Sequence, residues 1–530
     1  MSIAEMERRV AIVGAGISGL LACRYVLEMG FNPIVFDIED GIGGLWRHTT
    51  KSTKLQNHKL AFQFSDFPWP SSVKEDIPNS QQVLDYLNSY AQHFSLTHYI
   101  RFNSKVTDID YVGESNEEIN SWELWGGNGR PFGSKGTWHV TVQDTKTFST
   151  GVHKVEFVVL CIGKYSGFPN IPEFPAGQGP EAFKGKVMHS MDYSMLDNES
   201  AAELIKGKRV TVVGSQKSGL DIAAECADVN GMTHPCTILQ RTAHWYFPDL
   251  NKWGIFVGFF YLNRFSELLV HKPGESLLLS LVATFLSPMR WGISKLAETA
   301  LKWTLPLKKY GLVPKQSFLQ DVSSCQIGVF PDDFFDKLKE GSILIKKSQS
   351  FSFCKKGVII DEAAKRLETD VVILATGYKG DQKLKTIFKS PIFQNHILGL
   401  RSTVPLYRQI IPPRIPQLAI IGYDEGLSNI FSSEMKCQWL AVFLDGNIEL
   451  PSIREMEKDV KLWEDSMKQY AGRYYFKSCI ANCSIWYHDH LCKDMKRNPR
   501  RKKALFAELF EPYGPTDYAG LTRKRVFEGI

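Results

Sequence analysis

No C-x-x-C pair occurs in this 530-residue chain, although it has ten cysteines. That disfavours a disulfide reductase, whose chemistry needs a redox-active pair. The cysteines are scattered. In a chain this large with no secretory signal at its start, a disulfide framework is not expected, and a reducing compartment is. Cys479 and Cys483, four apart, are expected on one helix face. Zinc spacing is lacking too. "YHDHLC", Tyr487 to Cys492, gathers two histidines, an aspartate and a cysteine, but it matches no ligand pattern, and no metal is expected. Strong charge of either sign is also missing. Lys plus Arg number 63 against 57 for Asp plus Glu, a formal net charge of +6. This favours anionic ligands mildly and makes no case for nucleic acid. The densest basic run, "KRNPRRKK" from Lys496 to Lys503, reads as a solvated surface segment, with a localisation signal or an anion patch as alternatives.

Long apolar runs are absent as well. The most apolar region is Trp253 to Trp291, and its uninterrupted runs are about ten residues, cut by Arg264, Lys272, Pro273 and Glu275. A membrane span needs about 20, so none is expected. The region reads as helices lining a pocket, or as a patch touching a membrane surface. A cytoplasmic protein is expected, with peripheral contact at the endoplasmic reticulum as an option. No short internal repeat is found, and no pattern speaks to oligomeric state.

What is present begins with "RRVAIVGAGISGLLACRYVLEMGFNPIVFD", Arg8 to Asp37. A short apolar run, Val10 to Val13, suits a parallel strand buried on both faces. Gly14, Gly16 and Gly19 follow, then a helix ending at Gly30, then a second strand closing with Asp37. Gly14 permits a tight turn, Gly16 lets the backbone approach a pyrophosphate at the helix N-terminus, and Gly19 lets the helix lie close on the strand. Asp37 can accept a hydrogen bond from a ribose hydroxyl and would repel a 2′-phosphate, so this site suits FAD or NAD. "GGLWR" follows, where Gly43, Gly44 and Trp46 suit backbone running against a flat ring or a phosphate. "SQQVLDYLNSYAQHFSL" reads as a helix, and "SWELWGG…GTWHVTVQD" as a β meander.

A second strand, turn and helix, "RVTVVGSQKSGLDIAAE", starts at Arg209. It keeps Gly214, Ser218 and Gly219 but has Gln216 at the middle glycine position. Its partner strand, "CTILQR", ends at Arg241, the topological equivalent of Asp37 with the opposite charge. A 2′-phosphate is therefore accommodated, and NADPH is expected here. "VVLCIGKY" and "VVILATGYKG" are alike, each a buried strand running into a glycine; they contribute Gly163, Thr376 and Gly377 as candidates. Glycines at strand C-termini sit where open α/β sheets bind ligands. The fold class expected is α/β with two dinucleotide-binding, Rossmann-like domains. Residues 1–205 form the first part of an FAD domain. Residues 206–364 form an inserted NADPH domain with its apolar helices. Residues 365–530 complete the FAD domain and add a C-terminal helical region.

At this point the sequence resembles the flavin-containing monooxygenases. The family pattern F-x-G-x-x-x-H-x-x-x-Y stands in full as "FKGKVMHSMDY": Phe183, Gly185, His189 and Tyr193. "FSDFPWP", "GGLWR" and "ATGY" are also similar, and "FSDFPWP…LDYLNSY", "QGPEAFKGK" and "KYGLVPKQSF" resemble the plant branch containing the pipecolate N-hydroxylase of systemic immunity. The resemblance implies that NADPH reduces FAD, that O2 adds to give a C4a-hydroperoxyflavin, and that a small amine or sulfide takes the distal oxygen. It implies no catalytic triad and a structural rather than a basic role for His189. N-hydroxylation of a small amine or amino acid such as pipecolate is the leading expectation. S-oxygenation, oxidative decarboxylation of a 2-oxo acid as in auxin synthesis, and a non-catalytic nucleotide-binding protein stay open. Many family members carry an asparagine about nine residues before "SDFP"; here that position is Gln56, with Asn57 beside it, and these two amides are the candidates for the oxygen-activating contact.

Overall fold

The computed structural model describes residues 8–360, 365–398, 403–475 and 478–522. Ten strands form two parallel sheets: β1 (Arg9–Val13), β2 (Asn32–Phe36), β3 (Ile100–Arg101), β4 (Phe157–Leu160), β5 (Lys186–His189), β6 (Val210–Val213), β7 (Cys236–Gln240), β8 (Ile343–Lys347), β9 (Val371–Leu374) and β10 (Leu418–Ile420). The first sheet runs β10-β4-β1-β2-β3 and the second β8-β7-β6-β9-β5. The helices used below are α1 (Ile17–Glu28), α2 (Ser80–His93), α3 (Lys217–Asn230), α4 (Leu250–Tyr261), α5 (Arg264–Leu268), α6 (Leu277–Thr304), α7 (Phe318–Ser323), α8 (Asn429–Leu444), α9 (Ser484–Asp494) and α10 (Leu505–Phe510).

Both sheets are built from the same physics. β4, β6 and β9 are four-residue runs buried throughout, one face of each against helices and the other against a small antiparallel sheet, within residues 104–155 under the first parallel sheet and within 351–360 under the second. The two sheets also share a plan. In each, the strand feeding the glycine turn (β1, β6) lies between the strand ending in the charged residue (β2, β7) and a strand running into a glycine (β4, β9). The likeness of "VVLCIGKY" and "VVILATGYKG" has its reason here, since each fills the same place in its own sheet.

That placement corrects the expected boundaries. β9 pairs with β6 and β5, so residues 371–374 and 186–189 belong to the second sheet. Cuts at 205/206 and 364/365 run through that sheet. β10 does return to the first sheet, through β4. The family-pattern segment explains itself structurally. Phe183 packs with Val213 and Leu374 over β5 and β9, and a Cβ on Gly185 would lie 2.3 Å from the Asp370 carbonyl oxygen. The expected meander is partly observed. Ser104–Val112, Thr137–Asp144 and Thr150–Val155 make a three-stranded antiparallel sheet, but "SWELWGG" falls in short helical turns, Asn116–Ser121 and Trp125–Gly127, instead of a strand.

Two further expectations give way. Cys325 and Cys479, 154 residues apart, form a disulfide. The pairing is non-local and arises because α7 packs against the Ala481–Cys483 turn. Cys479 and Cys483 do not share a helix, since the first precedes that turn and the second ends it. The apolar region also folds differently. Lys272, Pro273 and Glu275 separate α5 from α6, and α6 then runs 28 residues without a break despite Pro288. By length and composition it is one helix that could cross a membrane.

Candidate functional site

The first glycine turn is held closed by backbone contacts that admit no side chain. Gly14 has φ +106°, and a Cβ there would lie 2.5 Å from the Cys161 carbonyl oxygen at the end of β4; one on Gly19 would lie 1.8 Å from the Gly14 oxygen. Gly16 and Gly44 face each other, a Cβ on Gly44 reaching 3.1 Å from the Gly16 Cα. The Gly43 N–H donates to the Ala15 carbonyl at 3.3 Å, so the "GGLWR" turn is laid along the first turn. Trp46 is half-buried and meets Phe62 edge-on at 6.0 Å. Gly163 takes φ +69° beyond β4, and its carbonyl accepts from the Tyr423 hydroxyl at 3.1 Å.

Asp37 is buried. One carboxylate oxygen accepts from the Ala15 N–H inside the turn and the other from the Glu39 N–H at 2.8 Å. Burial raises its pKa, and these backbone bonds oppose the shift. Asp37 thus fixes the turn itself, and each oxygen keeps a second lone pair for a ribose hydroxyl. Sequence reasoning missed a neighbour, Lys383. Its ammonium is buried, donates to the Ile162 carbonyl and, at 2.7 Å, to Ser166 Oγ. Desolvation pushes its pKa down to about 8, with the Asp37 charge opposing. No local motif marks it.

The second turn repeats the first. Gly214 has φ +117°, and a Cβ there would lie 2.3 Å from the Ala375 carbonyl oxygen after β9; a Cβ on Gly219 would lie 2.3 Å from the Gly214 oxygen. Thr376 and Gly377 therefore adjoin the second turn and not the first. Thr376 Oγ1 donates to the Asn170 carbonyl at 2.5 Å, and the Asn170 N–H donates to the Gly377 carbonyl at 2.8 Å. The segments leaving β4 and β9 meet there. Gln216 is the N-cap residue of α3, and its Nε2 donates to Gln326 Oε1. That bond ties the carboxamide to the loop after α7. Ser218 and Arg241 are exposed. Among the described residues no carboxylate pairs with the Arg241 guanidinium, which leaves it available to an anion.

Both turns share a further feature. α1 and α3 begin with no side-chain cap and no acid in their first turns. Asn79, Ser276, Ser317 and Ser452 cap the helices that follow them; α8 and α9 also start without a side-chain cap, and at α9 Glu267 accepts from the Ile485 and Trp486 N–H groups. Uncapped N–H groups at a helix start carry partial positive charge and suit a diphosphate. The glycine cradles and bare helix ends fit two dinucleotides, one per sheet.

Gln56 and Asn57 lie on a loop between the domains. Ser52 N–H donates to Glu225 Oε1 of α3 at 2.8 Å, and Lys54 pairs with Asp332. Gln56 is exposed, with Oε1 3.0 Å from where a Gly328 Cβ would stand. Asn57 Nδ2 donates to the Leu427 carbonyl at 2.5 Å. A strap continues from there. Glu425 bonds the backbone of Ser478 and Ile480, and Cys479 is joined to Cys325, the residue before Gln326. The candidate amides and Gln216 are thus connected through one bonded segment. His189 is buried and its Nδ1 accepts from the Met191 N–H at 3.1 Å, capping the helix Ser190–Ser194. This is a structural role. In "YHDHLC", Asp489 is held by Arg264 at 2.6 Å and His490 Nδ1 lies 2.7 Å from the Trp486 carbonyl.

The expected pocket of apolar helices is a groove of about 530 Å³ between α4, α5, α6 and α10. No residue of either glycine turn lines it.

A model of the flavin-binding monooxygenase-like family matches residues 7–508. The chain belongs to this family. It is 41% identical to the probable flavin-containing monooxygenase 1 of Arabidopsis thaliana over 96% of both chains. Solved structures share the fold. S-allyl-L-cysteine S-oxygenase from Allium sativum superposes with a TM-score of 0.57 at 18% identity, covering 93% of this chain and 89% of that one. OTEMO, described in complex with FAD and NADP, gives 0.65 at 16% identity over 92% and 97%. As a flavin-containing monooxygenase the protein is an NADPH-dependent oxidoreductase, and the pairing of two dinucleotide turns with opposite strand-end charges is the arrangement that such an enzyme needs.

Proposed function

We propose that the protein hydroxylates the nitrogen of a small amine or amino acid such as pipecolate, with FAD in the first turn and NADPH in the second. The balance is R2NH + O2 + NADPH + H+ → R2NOH + NADP+ + H2O. The bound flavin supplies the chemistry that passes two electrons from NADPH to O2 and delivers one oxygen atom. The chain's own residues bind and orient. The bare N-terminus of α1 and the Gly14–Gly19 cradle take one diphosphate, and Asp37 takes a ribose hydroxyl. The bare N-terminus of α3 takes the other diphosphate, and Arg241 takes a 2′-phosphate that Asp37 would repel. Gln56 and Asn57 lie on the loop that touches α3, with the Gln56 amide exposed and the Asn57 amide bonded to the Leu427 carbonyl.

The observation carrying this reading is the charge reversal from Asp37 to Arg241 at equivalent strand ends. The choice of an amine rests on the sequence resemblance in "FSDFPWP", "QGPEAFKGK" and "KYGLVPKQSF". The purified holoenzyme, given NADPH and a panel of cyclic amines, sulfides and 2-oxo acids, tests it by mass spectrometry. An added oxygen atom on the amine is the expected product. A sulfoxide or a decarboxylated acid with no hydroxylated amine contradicts it.

A further inference from the structure

The chain leaves α7 by a left-handed bend at a residue that is not glycine. The Gln326 N–H donates to the Asp321 carbonyl at 2.8 Å, and the Cys325 N–H to the Val322 carbonyl at 3.2 Å. This pair of bonds closes a helix C-terminus in the Schellman manner and puts Cys325 where glycine is the usual residue. Cys325 has φ +51°. An L side chain is disfavoured there and persists where the surrounding structure holds it. Its own sulfur supplies the hold, being bonded to that of Cys479.

The bend carries Gln326. Its Oε1 accepts from Gln216 Nε2, and its Nε2 donates to the Ser324 carbonyl at 3.2 Å. The Gln216 carboxamide, at the start of α3, is therefore tied to a residue whose place depends on the bend, and the bend depends on the sulfur bond. The Cys479 side is anchored independently. The Glu425 N–H donates to the Ser478 carbonyl at 2.7 Å, and the Ile480 N–H to the Glu425 carbonyl at 2.8 Å. Lys164 Nζ donates to Glu425 Oε1 at 3.0 Å, and Asn482 Nδ2 donates to Ser323 Oγ. With the sulfur bond open, the Asn482 bond still keeps α7 on this strap. The residues set free are those just beyond the helix, Cys325 and Gln326.

Cys325 is half-buried and Cys479 buried. A thiolate arriving from solvent meets Cys325 first, forms a mixed disulfide with it and expels the Cys479 thiolate; a second thiol then releases Cys325. The balance is Cys325–S–S–Cys479 + 2 RSH → Cys325–SH + Cys479–SH + RSSR, with both electrons supplied by a small thiol of the glutathione class.

We propose that the Cys325–Cys479 bond is a redox-modification site that sets the affinity for NADPH through Gln216. Oxidised, it keeps the Gln216 carboxamide on Gln326. Reduced, it releases the carboxamide to compete with the diphosphate for the N–H groups at the start of α3. The proposal rests on NADPH occupying the second turn. In the test, the folded, FAD-loaded full chain is treated with dithiothreitol, desalted and assayed for NADPH oxidation beside an untreated sample, and thiols are counted in both. The treated parent should gain two thiols. Its KM for NADPH should rise about tenfold, the worth of one hydrogen bond to a charged group, with kcat little changed. Cys479→Ser should show the raised KM with or without treatment. Gln216→Gly, which has no carboxamide to release, should show one KM in both states. The proposal is overturned if the folded parent gains no thiols, if it gains them with its KM unmoved, or if Gln216→Gly shifts as far as the parent, the mark of a general loosening. Arg241→Ala reports on the nucleotide site separately. A raised KM there beside a parent indifferent to reduction removes the switch alone, whereas an unmoved KM removes the site and the switch together.

Discussion

Gln216 occupies a position where a side chain ordinarily stands between backbone and pyrophosphate. Here its Nε2 is engaged by Gln326 Oε1. Gln216→Gly should therefore leave the KM for NADPH within about twofold, measured by steady-state oxidation. Arg241 is the contrasting residue, with a guanidinium exposed beyond β7. Arg241→Ala should raise the KM for NADPH at least tenfold, about 1.4 kcal/mol, and move that for NADH far less. Equal losses with both nucleotides would argue against a 2′-phosphate contact. His488 makes a pH prediction. It is buried with Nε2 unpartnered, and desolvation, helped by Lys436, pushes its pKa down to about 3. Unfolded, it titrates near 6.5. Between about 6.5 and about 3 the unfolded chain binds the proton and the folded one does not, so this contribution is present above 6.5 and is lost as pH falls. His488→Phe, beside the Phe431 and Tyr518 rings, should lose less melting temperature than the parent between pH 6.5 and 4.5.

At the scale of elements, local signals were the readable ones. β1, α1, β2 and the equivalent β6, α3 and β7 announce themselves, because each glycine turn and each apolar run lies within about 30 residues of the next. The assignment of β9 was not readable. "VVILATGYKG" carries no mark of which sheet it joins, and pairing with β6 is decided by packing across more than 150 residues. The Cys325–Cys479 disulfide was hidden for the same reason. It staples the loop beside Gln216 to the strap that holds Asn57. Thiol titration of the unreduced, unfolded protein should find eight free thiols, against ten after reduction. Closing so long a loop is worth up to about 5 kcal/mol through the unfolded chain. Reduction should then lower the parent's melting temperature by a few degrees and leave Cys479→Ser unmoved; equal shifts in both would remove the staple from the account.

Over the whole molecule, two sheets of one plan are joined where the segments leaving β4 and β9 meet, at Asn170 with Gly377. The loop carrying Gln56 and Asn57 touches α3 through Ser52 and Glu225. The glycine, aspartate and arginine candidates were legible because each needs a special backbone or charge at a fixed place. Lys383 was not, since its place depends on tertiary burial; the apolar helices of the groove were legible as a pocket wall or surface patch, but not their arrangement. The most direct measurement is anaerobic mixing of the FAD-loaded enzyme with NADPH while flavin absorbance is followed. Bleaching by NADPH, much slower with NADH or in Arg241→Ala, is the predicted result. A flavin that dithionite bleaches but NADPH does not would contradict the central claim that the two turns serve one electron path.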